Sequence, residues 1–302
     1  MCCDEFKVPK EKIDVVLDTD AYNEVDDQWA IAYLLRSDDR LNLKEIYTAP
    51  FFNRKSTSAE DGMLKSYDEI LKILDLADRN DMKDKVYKGS TAFLTDEKTP
   101  VISDSANRLA RLAEDYSPEN PLYVVAIGAI TNIASALLIN PEIAKNLVIV
   151  WLGGHSHDFP HTKEFNMFQD IAAARVVFLS DAKIVQLPCG GVVDTFHTTE
   201  PELRFWLSGK NKLCDYLVEN TVKEAESYAH GKPWSRIIWD VTAVAYLLND
   251  DEKFMNSRMQ NVVLPGYVDY KYSDEKVDKK MCYVYHIKRD AIFEDMFEKL
   301  KG

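Results

Sequence analysis

Short apolar runs and longer runs with a helical period alternate along most of the chain. Residues 15–17, Val-Val-Leu, form a β-branched run of the kind buried parallel strands carry, and an apolar helical stretch follows as far as Leu35. The pattern then repeats. It predicts a strand over 43–49, a long amphipathic helix through Met63, Ile70, Leu71, Ile73, Leu74 and Leu76, a short connecting piece over 86–89 and a helix over 105–116. Pro118 and Pro121 break the chain before a strand over 122–126. A helix over 133–139 ends at Asn140-Pro141, and a strand over 147–152 stops at Gly153-Gly154. Further on, 172–179 reads as a helix, 183–187 as a strand, and 200–208, 212–227 and 239–248 as helices. The tail changes period. Segments 260–272 and 281–287 alternate like a β-hairpin or a pair of edge strands around a charged loop, 273–280, before a closing helix over 291–300.

Strand, glycine turn and helix in repeated succession give an α/β fold, with a mostly parallel, Rossmann-like central sheet flanked by helices and a C-terminal β-hairpin. No Ser/Gly-rich spacer, long charge block, repeat or low-complexity run divides the 302 residues, so residues 1–302 are expected to form one domain. In such sheets ligands bind outside the carboxyl ends of the strands.

Charge and composition narrow the partners. Fifty acids against 37 bases give a formal net charge of −13, a poor match for a nucleic-acid backbone. No apolar run reaches the length that crosses a bilayer. The five cysteines, at 2, 3, 189, 214 and 282, lack metal-site spacing and read as reduced thiols of a cytoplasmic protein. The first residues, Met-Cys-Cys-Asp-Glu-Phe, contain no apolar signal core.

The chemistry concentrates at the end of the first strand. Asp18 and Asp20 flank Thr19, and Asp26 and Asp27 open the following helix after a five-residue loop, Ala21-Tyr22-Asn23-Glu24-Val25. Carboxylates crowded in this way raise one another's pKa, so a fold that gathers them supplies a cation or uses one of them as an acid or base. Hard oxygen donors favour calcium or magnesium over zinc or copper. The plainer reading is that Asp26 and Asp27 cap the helix. Asp240 is a second sign of a site, because an acid inside the apolar segment Ile237 to Ala245 is costly to bury without a partner.

This arrangement resembles the inosine-uridine preferring nucleoside hydrolase family, in which a strand ends in Asp-x-Asp and an Asp-Asp pair opens the next helix. The family's commoner loop has three residues and a Pro-Gly, so the five-residue loop here marks a variant. Four later segments extend the resemblance over most of the chain: Phe52-Asn53, the turn Ile127-Gly128-Ala129-Ile130-Thr131-Asn132, Gly153-Gly154 with Glu164-Phe165-Asn166, and Trp239-Asp240. It implies a calcium-dependent hydrolase of the N-glycosidic bond of ribonucleosides, acting on a small-molecule nucleoside as a homodimer or homotetramer. Asp20, Asp27, Asp240 and the Ile127 carbonyl would hold calcium, Asp26 would be the general base, and Asp18 would support the ligands. Asn53, Asp158, Glu164 and Asn166 would meet the sugar. Trp239 stands where many members carry a leaving-group His, and a purine-preferring branch also has Trp there, which implies stacking on a purine.

Each residue also has a plainer reading: Asn53 and Asn166 as turn residues, Thr131 as a helix cap, Glu164 as a surface acid and Trp239 as core. His155, His157 and His161 suggest a zinc pair or the border of the base pocket, where one could protonate the leaving base. Two other functions compete. Val-Val-Leu-Asp-Thr-Asp also resembles the Asp-x-Asp strand of haloacid-dehalogenase-like phosphotransferases, although Tyr22 stands where that family needs Thr or Val. A non-catalytic relative that binds calcium and a ribosyl ligand is the other.

Overall fold

Polar positions collect at the ends of strands whose middles are wholly apolar, and the fold aligns those ends. The computed structural model describes residues 6–275 and 277–302; Cys2 and Cys3, and residue 276 of the charged loop, lie outside the described residues. β1 (Ile13–Thr19) leads into α1 (Asp26–Leu35), β2 (Leu41–Thr48) into α2 (Ala59–Leu76), and the two-residue β3 (Val86–Tyr87) into α3 (Asp104–Leu112). β4 (Leu122–Ala126) is followed by α4 (Thr131–Ile139), β5 (Leu147–Leu152) by α5 (Phe165–Gln169) and α6 (Ile171–Leu179), and then comes β6 (Lys183–Leu187). A small antiparallel pair, β7 (His197–Thr198) and β8 (Arg236–Ile237), brackets α7 (Glu200–Leu207) and α8 (Lys212–Ala229). α9 (Val241–Leu247), β9 (Met255–Asn261), β10 (Lys280–Ile287) and α10 (Arg289–Lys301) complete the order.

Eight strands form one sheet in the order β3-β2-β1-β4-β5-β6-β10-β9, parallel throughout except for the antiparallel β9–β10 pair. β1 lies between β2 and β4, where the direction of winding reverses. Alternation within the strands splits the core into two layers. Val15, Leu17, Val125, Val150 and Val185 face α1, α2, α8, α9 and α10, while Val16, Val124, Ile149 and Ile184 face α3, α4 and α6. Both faces are covered, which is why these strands read as continuous apolar runs.

The parallel strands fall where the apolar runs place them; the tail does not. The strand expected over 260–272 is instead Met255–Asn261, because Pro265 lacks a ladder donor and Gly266 weakens a strand, so the chain leaves the sheet before them. β10 is interior, parallel to β6 and antiparallel to β9, so only β9 is an edge of the pair. The connecting piece at 86–89 supplies the opposite edge, β3. The last helix before β9 starts at Val241, two residues later than the pattern suggests, which leaves Trp239 and Asp240 on the turn that enters it.

Candidate functional site

The carboxyl ends of β1, β4 and β5 and the entrance to α9 converge on a cavity of about 200 Å³. Register sets its floor. Asp18 pairs with Tyr47 of β2 and Ala126 of β4, so Thr19 and Asp20 leave the sheet beside Ile127, whose N–H donates to the Asp18 carbonyl at 2.9 Å. Close approach is required there: a Cβ on Gly128 would stand 3.1 Å from Asp20 Oδ1 and 2.9 Å from Ala49 Cβ.

Asp20, Asp26, Asp27, Asp240, Ile127, Glu164, Asn166 and Trp239 all line this cavity, so the structure brings together most of the residues singled out in the sequence. One carboxylate oxygen from each of Asp26, Asp27 and Asp240 lies within 4.8 Å of the others. Helix capping does not explain the Asp26-Asp27 pair, since Val25 occupies the N-cap of α1 and no side chain bonds there. Their place in the first turn is nonetheless favourable, because the helix N-terminus attracts negative charge.

Burial dominates the electrostatics of these acids. Both carboxylate oxygens of Asp20 are buried without a hydrogen-bond partner among the described residues. Burial first, and then the charges of Asp27, Asp26 and Glu24, hold its carboxyl well above the usual range. Asp27 and Asp240 are displaced in the same direction by burial and by their acidic neighbours, although Thr19 Oγ1 donates to Asp27 Oδ1 at 2.5 Å. Burial pushes Asp26 up to about 7; the guanidinium of Arg236 opposes the rise and Glu24 adds to it. Asp18 sits behind the cavity. Asn132 Nδ2 donates to its Oδ1 at 2.7 Å, the other oxygen is buried without a partner, and burial pushes its carboxyl up to about 7. Asp18 therefore has no open face for a phosphoryl group, against the phosphotransferase reading.

The remaining predicted residues separate. Glu164 is buried rather than a surface acid: its Oε2 accepts the N–H groups of Gly154 at 2.7 Å and Met167 at 3.0 Å, and its Oε1 accepts that of Asn166 at 2.9 Å. It thus caps α5 and fixes the Gly-Gly turn, in which Gly154 has φ of +76°. Asn166 Nδ2 donates to the carbonyls of Leu152 at 3.0 Å and Ile127 at 3.2 Å, leaving its Oδ1 for another partner. Asn53 stands one hydrogen bond back from the cavity: its Oδ1 accepts the Lys55 N–H at 2.8 Å, an Asx turn, and its Nδ2 donates to Asn23 Oδ1 at 2.6 Å. Asp158 is solvent-exposed and does not line the cavity.

The three loop histidines have different surroundings. His155 lines the cavity, and its Nδ1 accepts the Gly190 N–H at 3.0 Å, which places the proton of the neutral ring on Nε2. Burial and the neighbouring His161 lower its pKa. His157 is half-buried, packs against Tyr272 and Tyr283, and contacts Gln186 Oε1 at 3.2 Å and Gln260 Nε2 at 2.5 Å. His161 packs edge-on to His155, and none of the three belongs to a metal-ligand cluster among the described residues.

Arg236 and Asn132 are among the contributors not anticipated from sequence. Arg236, with its side chain 13% exposed, pairs with Glu24 and lies 3.4 Å from Asp26 Oδ1. Its only sequence signal is a basic residue four positions ahead of a buried acid. Asn132, inside a segment already noted for its glycine turn, bonds Asp18, the Thr48 carbonyl and both the N–H and hydroxyl of Ser90.

Comparison with known proteins follows the same outline. The family described as inosine-uridine preferring nucleoside hydrolase matches residues 15–292. The pyrimidine-specific ribonucleoside hydrolase RihB of Escherichia coli is 31% identical over 140 residues, 44% of this chain and 44% of the relative. The chain spans about half the length of the curated relatives it matches. A solved plant nucleoside hydrolase, PpNRh1, superposes with a TM-score of 0.74 at 19% identity, covering 97% of this chain and 100% of that one. A purine-preferring ribonucleoside hydrolase from Gardnerella vaginalis gives 0.71 at 21% identity, covering 96% and 98%. At these identities the structural likeness is one of fold.

Proposed function

The chain belongs to the inosine-uridine preferring nucleoside hydrolase family, and from that premise we propose that it hydrolyses the N-glycosidic bond of ribonucleosides to free base and ribose. The observation that carries this reading is Asp20, a buried carboxylate with no hydrogen-bond partner among the described residues, set beside the buried acids Asp26, Asp27 and Asp240. Uncompensated buried charge on this scale fits a bound cation, and a set made only of hard oxygens fits calcium. Asp20, Asp27, Asp240 and the carbonyl of Ile127 would hold it, with Asp18 behind them. Bound calcium would supply Lewis-acid polarisation of water and of sugar hydroxyls.

The chain's own residues do the rest. Asp26 takes a proton from the attacking water, whose oxygen bonds to the anomeric carbon as the C–N bond breaks and its electron pair leaves with the base. The surrounding carboxylates stabilise the positive charge that develops on the sugar ring. Asn166 Oδ1 and the carboxylates accept from sugar hydroxyls. Trp239, half-buried at the cavity wall, stacks on the base, which favours purines. His155 presents Nε2–H toward the departing base.

Reducing-sugar release from a panel of purine and pyrimidine nucleosides, with and without a calcium chelator and with Asp26→Asn alongside, tests the reading. Chelator-sensitive release that favours purines and vanishes in the variant is the expected result. Calcium binding by calorimetry with no release from any nucleoside would instead make the protein a calcium and ribosyl binder.

A further inference from the structure

The loop between Asp20 and Asp26 is tied down so that it presents Asn23 and Glu24 to the cavity, and Glu24 is paired with Arg236. The Asn23 N–H donates to the Asp20 carbonyl at 2.7 Å, the Asn23 carbonyl accepts Lys55 Nζ at 2.7 Å, and its Oδ1 accepts Asn53 Nδ2 at 2.6 Å. Asn53 is itself fixed by the Lys55 N–H. Asn23 is 6% exposed and lines the cavity next to Asp20, Asp26 and Asp27. With its N–H, carbonyl and Oδ1 committed, the Nδ2 amide is the one polar group of Asn23 without a partner among the described residues.

A sugar hydroxyl both donates and accepts a hydrogen bond. The cavity is rich in groups that can accept from it: the carboxylates of Asp20, Asp26, Asp27 and Asp240 and the carbonyl of Ile127. Donors are fewer: Asn166 has committed its Nδ2 to two carbonyls, and among the described residues, besides Asn23, only Lys163, His155 and Trp239 bring side-chain N–H groups to the lining. We propose that Asn23 is a specificity-determining residue of the sugar site, its Nδ2 donating to a ribose hydroxyl that in turn donates to a carboxylate. Asn53 is its positioning residue, since the bond to Oδ1 fixes which end of the Asn23 amide faces the sugar. The lengthened loop therefore supplies a hydroxyl-reading donor that Asn53, standing behind it, does not supply directly.

This inference rests on the hydrolase reading, and its test separates the two. With calcium present, kcat/KM is measured for adenosine, 2′-deoxyadenosine and 3′-deoxyadenosine on the wild-type protein, Asn23→Ala, the isosteric Asn23→Asp and Asn53→Ala. A site that hydrogen-bonds a hydroxyl loses its discrimination when the donor is removed. The expected result is a fall of about 10–100-fold for adenosine in both Asn23 variants, with little change for the analogue lacking the hydroxyl that Asn23 meets. Asn53→Ala narrows the same ratio by a smaller factor. Equal losses on all three substrates, or none, would overturn the proposal. Absence of turnover by the wild type would instead overturn the hydrolase reading. Thermal shifts with the same nucleosides would then test Asn23: a preference for adenosine that Asn23→Ala abolishes sustains its role, and an unchanged preference, or no shift at all, removes it.

Discussion

Arg236 Nη2 lies 3.4 Å from Asp26 Oδ1, and among the described residues this is the ion pair made by the buried aspartates of the site. The guanidinium favours the ionised form of Asp26 against the effect of burial. Arg236→Gln removes that support and raises the Asp26 pKa. A base must be ionised to act, so the rise of kcat with pH moves to higher pH. At pH 7 kcat falls by about 10-fold or more. A kcat–pH profile at saturating calcium checks both.

Asp20→Asn separates the stability of the empty site from metal affinity. Removing a buried charge that has no partner stabilises the chelated protein, by about 1–3 kcal/mol. The same change deletes a hard ligand, so calcium affinity falls by about 10-fold or more. Thermal unfolding in chelator and calcium titration calorimetry give the two numbers. A lower Tm in chelator would show that Asp20 is already stabilised without a cation.

Asp18 predicts how the chelated protein responds to pH. Its folded value, about 7, lies above the ordinary 3.8, so between these the folded state holds a proton that the unfolded state has lost. Stability from this group is complete at low pH and declines as pH rises toward 7. The decline amounts to at most about 4 kcal/mol for a shift of roughly three units. Unfolding in chelator is therefore expected at higher temperature at pH 5.5 than at pH 8. Calcium requires ionised ligands, so the stabilisation it adds grows in the opposite direction, from pH 5.5 to pH 8.

His155 and His157, two residues apart, are expected to behave differently. His157→Ala opens a hole between Tyr272 and Tyr283 and leaves Gln186 and Gln260 short of a partner, costing about 2–3 kcal/mol of stability with kcat almost unchanged. His155→Ala has the reverse profile: a modest loss of stability and a fall in kcat that is largest for nucleosides whose base is a poor leaving group. Urea unfolding and a leaving-group series distinguish them.

Where the sequence carried a strong physical signal, the structure was legible from it. β4, β5 and β6 follow their apolar runs because both faces of those strands are covered, and Asp20, Asp26, Asp27 and Asp240 announce themselves as acids that burial makes expensive. β9 was misplaced because Met255–Asn261 is mostly polar and half-exposed, so alternation carries little information there. β7 and β8 are two residues each, below any pattern. Arg236 escaped because ion pairing across the fold has no local period, and Asp158 was placed by its spacing in a loop whose length varies. Asn53 was read in the right place but with a direct role, whereas the intervening Asn23 could be located only once the loop had a shape.

The tethers of the loop after β1 reach far along the chain. Glu24 and Asp26 meet Arg236 across 212 and 210 residues, and Asp27 lies in one carboxylate cluster with Asp240. Contacts so distant close late, since the entropy of the intervening loop is lost before they form. A nascent chain can lay down β1, β2 and β4 while its acids still face water and ionise freely. Arrival of the last third of the polypeptide brings Arg236 and Asp240 to Asp20, Asp26 and Asp27 and completes the buried set. Chains cut short before Arg236 lack Asp240 and the helix α9 that covers this face of the sheet, so they never acquire that set.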